Sequence, residues 1–332
     1  MLRWGFLGTS FISHTMAKAV ARSAGSQLVA VSGRDQDRLD AFATQYEVPR
    51  RYDSLDVVAK DGDVDVIYVG LPNNLHAHAV IAAAAQGKAV LCEKSLATNM
   101  EDARAIAKAV KDSGIFFVEG LMYLSHPIIA AFGDIVESGR LGRLRTVSAT
   151  YAADIWDVVN PNGKGTIFNL GCYPASLLHY VLKKGCGDAV FAQRHVQATG
   201  NRSPKDRNIC DATAILKFDN GLIAGITSTD SFGMSHEFIV RGELGSVRFL
   251  TNPWLPAVGE NSLEIEIYGH PIERLTLSSG YDAFDYQVQL VEAAIRNGQR
   301  EAMSPSPSLE DSLQIMDFLT EWQALTESAT PD

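Results

Sequence analysis

Ala89-Val90-Leu91-Cys92-Glu93-Lys94-Ser95-Leu96-Ala97-Thr98 is the stretch on which the reading of this chain turns. Residues 89–92 have the composition of a buried strand, and they deliver a carboxylate and an ammonium side by side at its C-terminal end. In an open parallel sheet, ligands bind just outside the carboxyl ends of the strands. A lysine at that point is therefore placed to act on a ligand. A lone Glu-Lys at a strand end is more commonly a surface ion pair, so the surrounding sequence has to decide.

Toward the N-terminus, residues 2–7 read as an apolar, aromatic-rich strand running into Gly8-Thr9-Ser10-Phe11-Ile12-Ser13, with helical composition over 14–24. Strand, glycine turn and helix form the context of a dinucleotide fingerprint, because backbone N–H groups and the helix N-terminus then face a pyrophosphate. Ser10 and Ser13 stand where the second and third glycines of G-x-G-x-x-G would be, so an ordinary βα turn competes with this reading. A second strand, 28–32, ends in Gly33-Arg34-Asp35. An acidic residue there holds a ribose 2′-OH, whereas an arginine accommodates a 2′-phosphate. Gly33-Arg34 thus favours NADP(H), with NAD(H) the alternative if Asp35 takes the ribose. Asp35 also suits the N-cap of a helix over 37–46.

A third strand, 64–69, leads to Gly70-Leu71-Pro72-Asn73-Asn74-Leu75-His76, where proline and two asparagines specify a turn. The helix over 76–86 closes at Gly87. Beyond the central stretch come a helix over 101–113 and a strand over 115–119. Strand and helix alternate throughout, which predicts βαβ units and a parallel sheet.

The totals narrow the classes. The 332 residues suit two domains. A net charge of −10, without a Lys/Arg cluster, argues against nucleic-acid or anionic-membrane partners. No apolar run approaches the roughly 18 residues of a membrane span, and no basic stretch precedes an apolar leader, so a cytoplasmic protein is expected. Cys92, Cys172, Cys186 and Cys210 lack CxxC spacing. His126, His179, His195 and His236 are scattered, and no metal is expected.

Gly8-Thr9-Ser10, Pro72-Asn73-Asn74-Leu75-His76, Gly87-Lys88 and Cys92-Glu93-Lys94 occur in the order and spacing of the glucose-fructose oxidoreductase / inositol dehydrogenase / MocA family. The chain most resembles the branch that contains dihydrodiol dehydrogenases, 1,5-anhydrofructose reductase and xylose dehydrogenases, over nearly its whole length. The resemblance implies a Rossmann dinucleotide-binding domain at 1–121. It implies an α+β substrate-binding and dimerisation domain at 122–332, with a large, open-faced, mostly antiparallel sheet. It further implies that Gly8, Thr9, Ser10, Phe11, Ile12, Gly33, Arg34, Leu71, Pro72, Asn73, His76, Glu93 and Lys94 contact the nicotinamide cofactor. The usual Glu-Lys-Pro is Glu-Lys-Ser here, and Ser95 removes the ring that fixes φ.

Glu119-Gly120-Leu121-Met122-Tyr123-Leu124-Ser125-His126-Pro127 resembles the family's crossover into the second domain, with Pro127 opening a helix over 127–138. Leu124 stands where relatives often have arginine. Strands are then expected at 144–152, 189–198, 212–218, 222–228, 237–241, 246–250, 263–268 and 272–277. Asp219-Asn220-Gly221 signals a hairpin with a type I′ turn. An open sheet face of this kind predicts a homodimer, or a dimer of dimers. Ser308-Leu309-Glu310-Asp311 reads as a capping box for a final helix with Leu309, Leu313, Met316 and Leu319 or Leu325 inward.

One helix interrupts these strands and carries Asn169-Leu170-Gly171-Cys172-Tyr173, matching the family's Asp-x-Gly-x-Tyr with asparagine for aspartate. On one continuous helix Asn169 and Tyr173 are i and i+4 and share a face. Ketone reduction needs a proton for the forming alkoxide. A phenol of pKa about 10 is a slow donor near neutrality, and a neighbouring ammonium lowers that pKa. The expected roles are Tyr173 as general acid in reduction and base in oxidation, Lys94 as electrostatic modulator and substrate anchor, and Glu93 orienting Lys94. Lys94, Tyr123, Trp156, Asn169 and Tyr173 are expected to bind the substrate. Asn169 can hydrogen-bond a substrate but cannot take its proton.

The sequence therefore predicts an NADP(H)-preferring dehydrogenase/reductase. It would move a hydride between nicotinamide and a sugar, sugar-derived ketone or cyclic polyol or diol. Its rivals are a non-catalytic dinucleotide-binding regulator, favoured by the departures at Ser10, Ser13, Ser95 and Asn169, and a reductase of a non-sugar ketone.

Overall fold

β1 (Leu2–Leu7) turns fully apolar and buried from Trp4 onward, and it lies in the middle of a parallel sheet. This computed structural model describes residues 1–330. Helix α1 (Phe11–Arg22) carries the chain to β2 (Ser26–Ser32), then α2 (Gln36–Gln45), β3 (Arg50–Tyr52), α3 (Leu55–Lys60) and β4 (Val66–Val69) follow. Next come α4 (His76–Ala85), β5 (Ala89–Glu93), α5 (Met100–Ser113) and β6 (Phe117–Gly120). The sheet order is β3-β2-β1-β4-β5-β6, with every pairing parallel. All four residues of β4 are buried, as a parallel sheet covered on both faces requires. The order reverses between β1 and β4, and crevices at such a switch point receive ligands. β3 and α3 were not foreseen: Arg50-Arg51-Tyr52 is too short and polar to read as a strand.

The second part begins with α6 (Pro127–Glu137), capped by His126, whose Nδ1 accepts the Ile128 N–H. After β7 (Leu144–Ala153) come α7 (Thr166–Asn169) and α8 (Cys172–Cys186), then β8 (Arg194–Arg202), β9 (Ile209–Phe218) and β10 (Ile223–Thr229). β11 (Met234–Gly242), β12 (Gly245–Phe249), β13 (Gly259–Ile267) and β14 (Glu273–Ser279) complete an eight-stranded sheet, ordered β14-β13-β12-β11-β7-β10-β9-β8. Only the β7–β10 pairing is parallel. Buried and exposed residues alternate along β9 and β13, the mark of a sheet with one packed face. Helix α8, buried from Cys172 to Leu182, packs on β7 and β10 and against α6.

Three local expectations change. The strand expected at 189–198 opens instead with a short 3₁₀ turn, and β8 begins at Arg194. At 219–221 only Gly221 has positive φ (87°), and its N–H bonds the Phe218 carbonyl at 2.8 Å. The Asn220 side chain accepts the Leu222 N–H, so Asn220 stays at negative φ and a type I′ turn does not form. The helix expected through Asn169 and Tyr173 is broken at Leu170-Gly171, so the two residues sit on separate helices.

After β14 the chain returns to the first sheet. Helix α9 (Ala283–Arg296) was not recognised in the sequence, yet its Val288 and Val291 join the core formed by Trp4, Phe6, Met16, Val20, Phe42 and Tyr68. Asp285 pairs with Arg22, and Glu292 accepts the Ser26 hydroxyl at 2.5 Å. Helix α10 (Leu309–Ala329) starts with the expected reciprocal cap: Ser308 N–H bonds the Asp311 carboxylate (3.0 Å) and Asp311 N–H bonds Ser308 Oγ (3.2 Å). Its buried apolar residues are Leu309, Ile315, Met316, Phe318, Leu319 and Trp322, while Leu313 and Leu325 are half-buried. Two compact units result: Met1–Met122 with Phe284–Leu313, and Tyr123–Ala283 with the chain from Gln314 onward.

Candidate active site

In the first unit the turn after β1 is built around Gly8 at φ 99°. A Cβ there would lie 2.7 Å from the Gly70 carbonyl oxygen, so the two loops meet backbone to backbone. Ser10 is the N-cap of α1, but its side chain does not cap. Its hydroxyl donates to the Gly70 carbonyl (3.1 Å) and lies 3.2 Å from Ser13 Oγ. The serine in the second glycine's place thus ties the two loops together. The first-turn N–H groups of α1 are left without a side-chain acceptor, the arrangement a phosphate uses. Phe11 and Ile12 follow at this helix end, Phe11 85% exposed.

At the end of β2, the Gly33 N–H bonds the Tyr52 carbonyl (3.1 Å). The Asp35 carboxylate is taken up by α2, accepting from Arg38 N and Arg38 Nε, both at 3.0 Å. Arg34 is exposed beside it. Leu71 and Pro72 open a 3₁₀ turn over Asn73–Leu75. His76 is fully buried behind this turn, with Nε2 2.9 Å from the Leu71 carbonyl and Nδ1 3.0 Å from that of Ser95. The His76 side chain therefore braces two loops instead of facing a ligand. Burial pushes its pKa down, while the backbone carbonyls oppose the shift.

The end of β5 holds the electrostatic centre of this unit. Glu93 is buried, accepts the Tyr68 hydroxyl (2.9 Å), and has its pKa pushed up by burial against the pull of Lys94. Lys94 is half-buried, and the Lys94–Ser95 peptide is cis. Glu119, near the end of β6, accepts the Leu96 N–H at 2.8 Å. Burial, with Glu93 close by, raises its pKa to about 7. Two buried carboxyls thus bracket the Lys94 loop. Sequence reading assigned no role to Tyr68 or Glu119, although both stand at C-terminal ends of strands in a parallel sheet.

In the second unit Tyr173 lies in the first turn of α8, almost fully buried. Its ring packs against Tyr123 (centroids 5.6 Å), edge-on against Tyr151 (5.1 Å) and against Trp254 (6.3 Å). Tyr123, expected to contact substrate, is fully buried: its hydroxyl donates to the Tyr173 carbonyl (3.1 Å) and lies 2.7 Å from Ser176 Oγ. Tyr123 therefore fixes the start of α8. Burial pushes the Tyr151 phenol up to about 12.

Trp156 is half-buried, with Lys205 Nζ 4.5 Å from its ring centroid. Asn169, half-buried at the end of α7, faces Asp230 just beyond β10. Asp230 is 2% exposed, and burial with Asp211 and Asp206 nearby raises its pKa to about 7 while Asn169 opposes the rise. The sequence does not single out Tyr151, Trp254 or Asp230. They come from a strand interior, a loop and a strand end, with no motif around them. Among the described residues no three His, Cys, Asp or Glu side chains form a metal-ligating group, and no helix is long and apolar enough to cross a membrane.

A parallel sheet with a glycine turn and an uncapped helix start at its switch point defines a Rossmann nucleotide-binding domain, here followed by an α+β domain. The description "Oxidoreductase family, NAD-binding Rossmann fold" matches residues 2–120, and "GFO/IDH/MocA C-terminal domain" matches residues 129–248. The chain belongs to the Gfo/Idh/MocA family of oxidoreductases. It is 29% identical over 331 residues to trans-1,2-dihydrobenzene-1,2-diol dehydrogenase from Bos taurus, covering 96% of this chain and 95% of that protein. It is also 29% identical to an uncharacterised oxidoreductase from Rhizobium meliloti, covering 98% and 97%. The fold is shared with a 3-ketoreductase from Actinomadura kijaniata, solved with NADP and TDP-benzene (TM-score 0.84, 22% identity, covering 100% of this chain and 98% of that one). It is shared too with an aldose-aldose oxidoreductase from Caulobacter crescentus (TM-score 0.82, 22% identity, covering 98% of each chain).

Proposed function

We propose that the protein is an NADP(H)-preferring dehydrogenase/reductase acting on a sugar, a sugar-derived ketone or a cyclic polyol or diol. The observation that carries this reading is the Asn169-x-Gly171-x-Tyr173 element, in which a tyrosine is clamped among Tyr123, Tyr151 and Trp254 at the start of α8. A phenol so restrained loses little rotamer freedom when it meets a substrate oxygen. The relative named a trans-1,2-dihydrobenzene-1,2-diol dehydrogenase supports the cyclic-diol part of this substrate class.

When bound, the dinucleotide gives or takes the hydride. The turn Gly8 to Ile12, Gly33-Arg34, Leu71-Pro72-Asn73 and Glu93-Lys94 would hold it, His76 from behind. Asp35 is committed to capping α2, which leaves Arg34 to meet a 2′-phosphate and supports NADP(H) over NAD(H). Tyr173 donates a proton to the carbonyl oxygen in reduction and removes it in oxidation. Lys94 lowers the cost of the phenolate, Glu93 orients Lys94, and Asn169 and Trp156 hold substrate hydroxyls. The exposed Ile215 and Ile223, on one face of the β9–β10 pair, suit a homodimer through the open sheet.

The test pairs fluorescence titration with NADPH and NADH with turnover over a sugar and diol panel. NADPH should bind at least about tenfold tighter, with Arg34→Ala closing most of the gap. Lys94→Ala and Tyr173→Phe should each cut turnover by about 100-fold or more. Binding without turnover on any substrate would favour the regulator, and equal NADH affinity would overturn the role given to Arg34.

A further inference from the structure

We propose that Glu119 is a positioning residue for Lys94: its carboxyl takes the Leu96 N–H and so fixes the turn from which the lysine projects. This rests on reading Lys94 as the ammonium that serves the hydride transfer.

The two faces of the first sheet explain the arrangement. In the β5–β6 ladder Cys92 stands opposite Glu119, and Glu93 opposite Gly120. Side chains alternate along a strand, so Glu93 and Glu119 leave the sheet by opposite faces. Tyr68 of β4 pairs with Leu91, two positions before Glu93, and so shares the face of Glu93. There Glu93 accepts the Tyr68 hydroxyl (2.9 Å) and, through Oε2, the Lys94 N–H (3.3 Å). On the other face Glu119 Oε1 accepts the Leu96 N–H at 2.8 Å. The chain on either side of Ser95 is thereby held by one carboxyl from each face.

Ser95, Leu96 and Ala97 are fully buried, so their polar groups have no recourse to water. His76 serves the carbonyl side of the turn, with Nδ1 3.0 Å from the Ser95 oxygen and 3.3 Å from that of Leu96. Further on, the Asn99 side chain accepts the Asp102 N–H (2.8 Å) and fixes the start of α5. Glu119 serves the N–H side. Without its oxygen a buried donor is orphaned, and the backbone must shift to find another acceptor. Lys94 lies two residues from that N–H, so the shift reaches the lysine. Accepting an N–H needs only an oxygen lone pair, which a carboxylate, a neutral carboxyl or an amide supplies alike.

The test compares Glu119→Leu, which removes the acceptor, with Glu119→Gln, which keeps one. The first arm is amide hydrogen exchange on the full chain, read residue by residue. Leu96 should exchange at least about tenfold faster in Glu119→Leu. Val90, whose N–H bonds the Phe116 carbonyl, should not change. An unchanged Leu96 would overturn the proposal. The second arm follows turnover of NADP⁺ with trans-1,2-dihydrobenzene-1,2-diol. Glu119→Leu should lower kcat/KM about 30-fold, and Glu119→Gln should stay within about threefold of the parent. A lysine already out of place has little left to lose. Against a loss of about 100-fold for Lys94→Ala, the double variant Lys94→Ala/Glu119→Leu should therefore fall no more than about 300-fold, not the roughly 3000-fold of independent sites. A fully multiplicative loss, or a Glu119→Gln as slow as Glu119→Leu, sinks the positioning role. If Glu119→Leu does not fold, Glu119→Asp takes its place, since it withdraws the oxygen by about 1.5 Å and should show the same faster Leu96 exchange and the same non-additivity. A parent that turns over no member of the sugar and diol panel sinks the dehydrogenase reading and the positioning role with it, while the exchange arm still decides whether Glu119 holds the turn.

Discussion

Gly8 shows how much one residue can carry. It combines a φ of 99° with a gap to the Gly70 carbonyl that a Cβ would reduce to 2.7 Å. Gly8→Ala should therefore cost about 1–3 kcal/mol, read as a lower urea midpoint, and should also weaken NADPH binding, because the α1 turn must shift. The competing outcome, full stability with unaltered NADPH affinity, would remove this turn from the cofactor site. Its glycine was legible in sequence because positive φ and close approach leave a local signature. His76 and Tyr123 were legible only as residues of interest. Whether a ring meets a ligand or a backbone carbonyl depends on loops far from it in the chain.

Among the elements, helix termini were read well and helix continuity was not. The box at Ser308 and Asp311 forms with both reciprocal bonds. Ser308→Ala should cost about 1 kcal/mol and lower the melting temperature by about 2–4 °C, measured by scanning calorimetry. No shift would mean that packing alone sets the start of α10. The α7–α8 break escaped notice since Leu170-Gly171 fits a helix locally. It is set by tertiary packing, for a Cβ on Gly171 would meet the Ile167 carbonyl at 2.6 Å and the Trp322 ring at 3.0 Å. Helix α9 was missed for a related reason: its apolar stripe has meaning only against the core of the first sheet, reached after the whole second unit has been built.

Across the whole molecule, two buried carboxyls add a contribution to the pH response that weakens the fold as pH rises. Glu119 holds its proton up to about pH 7 when folded, against 4.5 ordinarily. The folded state then binds more protons than the unfolded one across that window, so this group's contribution to stability falls as pH rises from about 4.5 to about 7. Asp230 acts in the same direction. Glu119→Gln keeps a carbonyl for the Leu96 N–H and removes the ionisation. It should flatten the fall in melting temperature over that window and raise stability at pH 8 by an amount of order 2 kcal/mol. A parallel pH profile in the two proteins would show that Glu119 ionises normally.

By itself the sequence determined the alternation of strand and helix, the glycine turn, the acid-and-ammonium strand end and the Asn-x-Gly-x-Tyr element. Those features are local, written in side-chain period, glycine placement and capping chemistry. Only the tertiary structure decided that Phe284–Leu313 joins the first unit, that Tyr123 supports α8, and that the Asp230 carboxyl is buried. Arg22 and Asp285 pair across 263 residues of chain. A single sequence does not announce such partners, because the free energy that joins them comes from burial and hydrogen bonding in the finished fold, not from the conformational preference of either segment.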